Sequence, residues 1–316
     1  MIAIGIDIGG TSIKGAFVNE KGEILHRFSL KVVKESPFEK EVKKLTDLLN
    51  EEIEKNGLKG KVKGIGIGMP GIMDMDEGMI IESPNLPEWN GHNLKKFIEE
   101  HVGIEVKINN DANVAALGEA KFGSGNKYQD LIMITLGTGV GGGIIIGGKL
   151  FDGHLHQGAE LGHMVIRLNG KKCGCGRKGC FEAYASATAL IKDTRMMMSK
   201  HPESLLFAVE KELAGVDARN AFIAARRGDK YGKKLVDDYV MYLSEGLINY
   251  CNIFRPEAII LSGGVANEGE YLLSRVRNYL EKEHYGMKGS PSVDVIVSSL
   301  GYDSGKIGAA CLILFK

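Results

Sequence analysis

The chain has 316 residues, room for about two domains at ~100–200 residues each and for a core that needs no covalent staples. Its 40 basic and 40 acidic residues cancel, so no global field draws it to nucleic acid or to an anionic membrane surface. No apolar run reaches the ~20 residues of a membrane span, and MIAIGIDIGGTSIKG carries neither the basic region nor the cleavage site of a signal peptide. Five cysteines in 316 residues fit a reducing, cytoplasmic setting, where clustered cysteines point to metal and not to disulfides.

In chain order, MIAIGIDI is a short apolar run rich in isoleucine and predicts a strand. GGTS is a turn, IKGAFVN a second strand, EKGE a turn and ILHRFSLKVV a third strand. PFEKEVKKLTDLLNEEIEKN spaces Val42, Leu45, Leu48, Leu49 and Ile53 as one helical face. VKGIGIGM is a buried strand closed by Pro70-Gly71. EVKINN is a strand running into a helix, ANVAALGEAKF, that starts after Asp111. At Leu131 the opening recurs: Gly137 falls on Gly9, Gly143 on Gly15 and Lys149 on Lys21, an offset of 128 each time. The shared order of apolar run, turn and apolar run favours duplication over chance likeness of two glycine-rich hairpins. A more helical half follows. DKYGKKLVDDYVMYLSEGLINYCNIF is a core helix, AIILS a buried strand before the turn Ser262-Gly263-Gly264, EGEYLLSRVRNYLEKEHY a helix, DVIVSS a strand and GKIGAACLILFK a closing helix.

This pattern predicts an α/β chain with duplicated βββαβα cores, hence two α/β lobes. The expected division is an N-terminal lobe over 1–115, with the closing helix 303–316 packed back on it. A larger C-terminal lobe over 116–302 carries the cysteine loop and helical insertions.

The glycine turns suggest phosphate binding, because backbone N–H groups approach an anion closely only where side chains are absent. One such turn is more often an ordinary hairpin. Gly9-Gly10-Thr11 and Gly137-Thr138-Gly139 together, with a third turn at Gly263-Gly264, favour a nucleotide polyphosphate. Asp7 before the first turn suits water-mediated Mg²⁺, and Lys14 after it suits phosphate charge. Gly66 to Gly71 and Gly137 to Gly142 match G-x-G-x-x-G without opening a helix after a strand. Gly301 to Lys306 fails the P-loop spacing.

His163, Cys173, Cys175 and Cys180 supply one imidazole and three thiolates, with the cysteines inside eight residues. That is a closed tetrahedral zinc set with no position left for catalysis. His163 alone would read as a core histidine; the three cysteines tip the balance. Cys251 and Cys311 lie in apolar helices and read as core. Asp111, after Asn109 and Asn110, falls where a helix N-cap is expected, and capping alone would explain it. The two asparagines, able to grip vicinal hydroxyls, suit a base beside a polyol. Pro70-Gly71 and Asn85, in SPNLPEWNG, read either as a substrate rim or as a turn around a buried Trp89.

DIGGTSIKG, GMPG, NNDANVAALGE, TLGTGVGGG, ELGH, CGCGRKGCFE and SGGV stand in the order found in the ROK family (repressor, open reading frame, kinase), which the chain resembles over nearly its whole length. The resemblance is strongest to the family's bacterial ATP-dependent glucokinases. It implies the two-lobed actin/hexokinase-like ATPase fold, Mg-ATP as phosphoryl donor, structural zinc, and transfer to the 6-hydroxyl of an aldohexose, glucose first. It makes Asp111 the general base and places Gly71, Asn85, Asn110, Asp111, Glu160, His163 and Glu182 around the sugar, with His163 giving one ring nitrogen to zinc. It also implies a homodimer or dimer of dimers. The N-terminal DNA-binding helices of the family's regulators are not expected. N-acetylmannosamine, N-acetylglucosamine or fructose as substrate, a non-catalytic sugar-sensing regulator, and an actin-like ATPase are the competing readings.

Overall fold

The computed structural model describes residues 1–286 and 292–315. The chain opens with β1 (Ile2–Ile8), β2 (Ser12–Asn19) and β3 (Ile24–Lys31), followed by α1 (Phe38–Lys55) and β4 (Val62–Met69). A short hairpin, β5 (Ile72–Asp74) and β6 (Met79–Glu82), and α2 (Leu94–Val102) precede β7 (Val106–Asn110) and α3 (Asp111–Phe122). The pattern restarts with β8 (Leu131–Leu136), β9 (Val140–Ile146) and β10 (Lys149–Phe151). Next come α4 (Glu182–Ala185), α5 (Ala187–Lys200), α6 (Leu206–Val209), α7 (Arg219–Arg226) and the 25-residue α8 (Lys230–Phe254). β11 (Ala258–Ser262), α9 (Glu270–Glu283), β12 (Asp294–Val297) and α10 (Ser304–Leu314) complete it. Lys316, the end of the expected closing helix, lies outside the described residues.

The strands form two five-stranded sheets, in the orders β3-β2-β1-β4-β7 and β10-β9-β8-β11-β12. The orders correspond strand for strand. β1 pairs in parallel with β4, and β4 with β7; β8 does so with β11, and β11 with β12. The duplication read from the glycine turns is thus present in the topology. Each core adds one more strand and helix, β7–α3 and β12–α10, to the expected βββαβα.

Contacts divide the chain into two units. One holds Met1–Gln129, Gly143–Ala159 and Ser299–Lys316; the other holds Asp130–Gly142 and Glu160–Ser298.

In the first unit, strand alternation sets what each sheet face can accept. Ile4, Ile6 and Ile8 of β1 join the core that buries the Val42, Leu45, Leu49 and Ile53 face of α1. Ala3, in the alternate register, joins Ala16 and Val18 against Ala310, Ile313 and Leu314 of α10. Here α10 lies almost on the sheet: a Cβ on Gly5 would stand 1.8 Å from the Lys306 carbonyl oxygen, and one on Gly66 1.7 Å from that of Ala309. Trp89 is fully buried and meets Phe38 edge-on at 5.6 Å, which anchors the segment from Ser83 to Asn93.

In the second unit, α8 is the central helix. Its buried Tyr250 donates to the Leu161 carbonyl at 2.6 Å, and its buried Tyr239 donates to that of Ala185 at 2.7 Å. Phe181 packs over Gly246 and meets Tyr250 edge-on at 6.0 Å. Both ends of the cysteine loop are therefore fixed to one helix. Cys251 and Cys311 are buried, and burial pushes their thiols up to about 11 and about 12, as inert core residues require.

Candidate functional site

In the first unit, β1 delivers Asp7 to the edge of the first glycine turn. Gly9 N–H donates to the Ser12 carbonyl at 2.9 Å and closes that turn, which carries Gly10 and exposed Thr11. Lys14 stands directly across the ladder from Asp7. Burial pushes the Asp7 carboxyl above its usual range, and the nearby charges of Lys306 and Lys14 oppose that rise. Lys306 donates to the Tyr302 carbonyl at 2.8 Å and meets Asp303 at 2.9 Å, so the lysine of the failed P-loop match folds back on its own turn.

Asn85 is exposed and lies against the same turn: a Cβ on Gly10 would come 3.0 Å from the Asn85 Cβ. Trp89 and Asn85 thus divide the two readings of SPNLPEWNG between them, one buried and the other at the turn. Gly71, at φ 124°, passes the Glu82 carbonyl so closely that a Cβ would stand 2.3 Å from it. Gly68 brings β4 beside Asp111, 3.5 Å from a Cβ at Gly68 to the Asp111 Cα.

The start of α3 differs from expectation. Asn110, not Asp111, is the N-cap: its backbone is extended, and its Oδ1 accepts Ala112 N–H at 2.9 Å and Asn113 N–H at 3.3 Å. An N-cap needs an extended residue whose side chain reaches the second or third helical N–H, and the last residue of β7 supplies that. Asp111 is the first helical residue, and its Oδ1 accepts Ala112 N–H at 2.9 Å. Asn109, expected with Asn110 to grip hydroxyls, is buried instead. Its Oδ1 accepts Asn110 N–H at 2.7 Å and Asn113 Nδ2 at 3.0 Å, which braces the turn from below.

In the second unit, Gly137-Thr138-Gly139 closes through Gly137 N–H on the Gly139 carbonyl at 3.0 Å. The third turn lies against it: Gly263, at φ 87°, passes β8 where a Cβ would stand 2.5 Å from the Leu136 carbonyl. Gly264 follows, exposed. The structure therefore brings Gly137, Thr138, Gly139, Gly263 and Gly264 into one neighbourhood.

The cysteine loop is a compact knuckle. Cys173 N–H donates to the Arg177 carbonyl at 2.9 Å, and Gly176 N–H to that of Cys173 at 3.1 Å. The donor atoms of His163, Cys173, Cys175 and Cys180 lie within 4.8 Å of one another. Cys173 Sγ is 3.8 Å from His163 Nδ1, and Cys175 Sγ is 3.7 Å from Cys180 Sγ. A tetrahedron with Zn–S arms of about 2.3 Å has edges near 3.8 Å, so the set fits structural zinc. Nδ1 of His163 faces the sulfurs. Glu182, two residues past Cys180, places Oε2 3.0 Å from Val140 N–H and Oε1 3.3 Å from Cys173 Sγ. Glu160 is exposed and its carbonyl accepts the His163 N–H at 3.1 Å.

A family model described as ROK family matches residues 3–316. A glucokinase of Thermotoga maritima is 35% identical over 314 residues, 98% of this chain and 96% of the relative. A ROK family glucokinase from Streptomyces griseus, solved in complex with glucose and AMPPNP, superposes with TM-score 0.81 at 35% identity over 99% of both chains. A ROK hexokinase from Thermus thermophilus superposes with TM-score 0.82 at 31% identity, covering 98% of this chain and 97% of the other. The fold is thus the actin/hexokinase-like ATPase fold that the repeated sheets indicate.

Proposed function

This chain belongs to the ROK family, and we propose that it is a hexokinase-type phosphotransferase, passing the γ-phosphoryl of Mg-ATP to the 6-hydroxyl of glucose. The observation that carries this reading is 35% identity to a glucokinase across 98% of the chain, with the Asn110–Asp111 turn built into the N-terminus of α3. Relatives that act on N-acetylhexosamines or fructose are not favoured by that similarity, nor is a regulator without catalysis.

In this reading Asp111 takes the proton from the attacking hydroxyl. A weak base is enough, because phosphoryl transfer depends mainly on positioning and charge stabilisation. Asn110, with its Oδ1 on the helix N–H groups, keeps its Nδ2 for a sugar hydroxyl. Gly71, Asn85, Glu160, His163 and Glu182 complete the sugar contacts. The two glycine turns and Gly263-Gly264 hold the nucleotide, with Lys14 balancing phosphate charge. Asp7 would hold Mg²⁺ through water, and a divalent cation there would oppose the burial that raises its carboxyl. Zinc, held by His163, Cys173, Cys175 and Cys180, supplies structure and no reacting group. The two contact units serve as the lobes, with α10 on the first. We further propose a homodimer or dimer of dimers in the cytoplasm. No helix among the described residues is long and apolar enough to cross a membrane.

The test is ADP release with ATP and a panel of hexoses. Glucose should give the highest kcat/KM. No hexose-dependent ADP release, or a preference for an N-acetylated hexose, contradicts the proposal.

A further inference from the structure

Between β10 and Glu160 runs the segment DGHLHQGA, residues 152–159. Leu155, His156 and Ala159 stand there in left-handed backbone, at φ 55°, 56° and 61°. Such backbone is costly for a non-glycine residue, and it persists where the surroundings over-determine it. Here side chains supply the constraint. His156 Nδ1 lies 2.7 Å from Asp152 Oδ2, a single left-handed turn away. The same oxygen accepts Asn109 Nδ2 at 3.3 Å. Asn109 is 6% exposed and carries the contact inward, because its Oδ1 accepts Asn110 N–H at 2.7 Å and Asn113 Nδ2 at 3.0 Å. The chain His156–Asp152–Asn109 therefore ends on the N–H of Asn110, the residue before Asp111.

We propose that Asp152 and His156 are positioning residues for the phosphoryl-acceptor site: His156 fixes Asp152 on Asn109, and Asn109 fixes the Asn110–Asp111 turn. The proposal rests on the reading of Asp111 as the base. Bonds of this kind matter because a misplacement of about 1 Å at the reacting group can cost ~10²-fold in rate. The charged groups facing His156 are Asp152 on its own loop and Asp76 from the β5–β6 turn, whose Oδ1 is 3.7 Å from Nε2. The hydrogen bond to Asp152 raises His156 above its ordinary value against opposing desolvation, and the charges of Asp152 and Asp76 add to the rise. A raised histidine gives its full contribution below its unfolded value and loses it as pH rises through the folded one. The charged pair is therefore complete in acid and weakens as pH rises through the raised value of His156.

The experiment compares wild type with His156→Ala and His156→Asn across pH. Asparagine tolerates left-handed backbone, and its Nδ2 offers Asp152 the same donor without titrating. His156→Ala is expected to lower kcat/KM for the hexose about 10-fold or more, with KM for ATP within about twofold of wild type. His156→Asn is expected to recover most of that loss and to remove the fall in kcat/KM expected of wild type as pH rises through the His156 value. A purely structural role would move thermal stability without removing the pH dependence. His156→Ala within about twofold of wild type in hexose kcat/KM, or a fall with rising pH that survives in His156→Asn, overturns the proposal. Wild type that releases no ADP with any hexose is a different failure, that of the kinase reading, and it takes the proposal with it.

Discussion

The Glu182 carboxylate accepts the Val140 N–H at 3.0 Å, and the same side chain lies 3.3 Å from the Cys173 sulfur. One residue therefore joins the cysteine loop to the second glycine turn. The fit is close: a Cβ on Gly139 would fall 2.3 Å from Glu182 Oε2. Spacing alone places Glu182 only near the zinc loop. With the turn attached to it, Glu182→Ala should disturb ATP as well as sugar. A hydrogen bond to a charged acceptor is worth about 1.5–3 kcal/mol, so KM for ATP should rise roughly tenfold or more. Initial rates at saturating hexose measure it; an unchanged ATP KM would separate the carboxylate from the turn.

Asn110 carries the helix cap, and this isolates the chemistry of Asp111. Asp111→Asn should leave the start of α3 and the thermal stability near wild type while kcat falls at least ~10²-fold, with hexose affinity little changed. Asn110→Ala should do the reverse in part. Losing the cap costs about 1 kcal/mol of stability, and losing Nδ2 raises KM for the hexose. Equal kcat losses in both variants, with stability untouched, would contradict this division of labour.

The repeated sheets were legible because β1–β2 and β8–β9 carry the same turn glycines, whose backbone demands leave a mark in sequence. The gathering of His163, Cys173, Cys175 and Cys180 was legible because thiols cluster for few other reasons. The β5–β6 hairpin, α2 and α4 to α7 were not read. β5 has three residues, and α4 and α6 four each, too short for a periodicity to show. Asp152 and His156 left no signal, because their link to Asn109 runs across 43 residues of chain and depends on a left-handed loop. The N-cap was misplaced by one residue because Asn and Asp cap about equally well, and only the backbone angles decide between neighbours.

Asp7, the residue proposed for Mg²⁺, carries a cost in stability. Its carboxyl is raised in the folded chain, chiefly by burial. A raised carboxylate binds its proton more tightly when folded, so its ionisation draws stability down as pH climbs from the unfolded value through the folded one. Asp7→Asn removes that charge. In the absence of nucleotide it should raise Tm at neutral pH and lose the advantage in acid, while phosphorylation of the hexose collapses and hexose binding persists. Calorimetry with glucose alone, beside thermal melts at two pH values, checks both. A lower Tm for Asp7→Asn at neutral pH would mean that Asp7 stabilises the fold and that the sign is wrong.

Zinc gives the sharpest test of the second unit. Protein purified without added metal should carry one zinc per chain by elemental analysis, since the four donor atoms already stand within 4.8 Å of one another. Metal binding is linked to folding, so Cys175→Ser should lower zinc content and Tm together, by roughly 5 °C or more if ~2 kcal/mol is lost in a domain of this size. The kinetic consequence follows from which atoms the loop holds. His163 would be a ligand through the nitrogen that faces Cys173, and its orientation should loosen with the site. Glu182 follows Cys180 by two residues and reaches Val140. KM for the hexose should therefore rise most, and KM for ATP should rise with it through the glycine turn. Asp7 and the first turn belong to the other contact unit, so Mg²⁺ dependence should be unchanged. Full hexose affinity and thermal stability in metal-free protein would leave the three clustered cysteines without the role assigned to them.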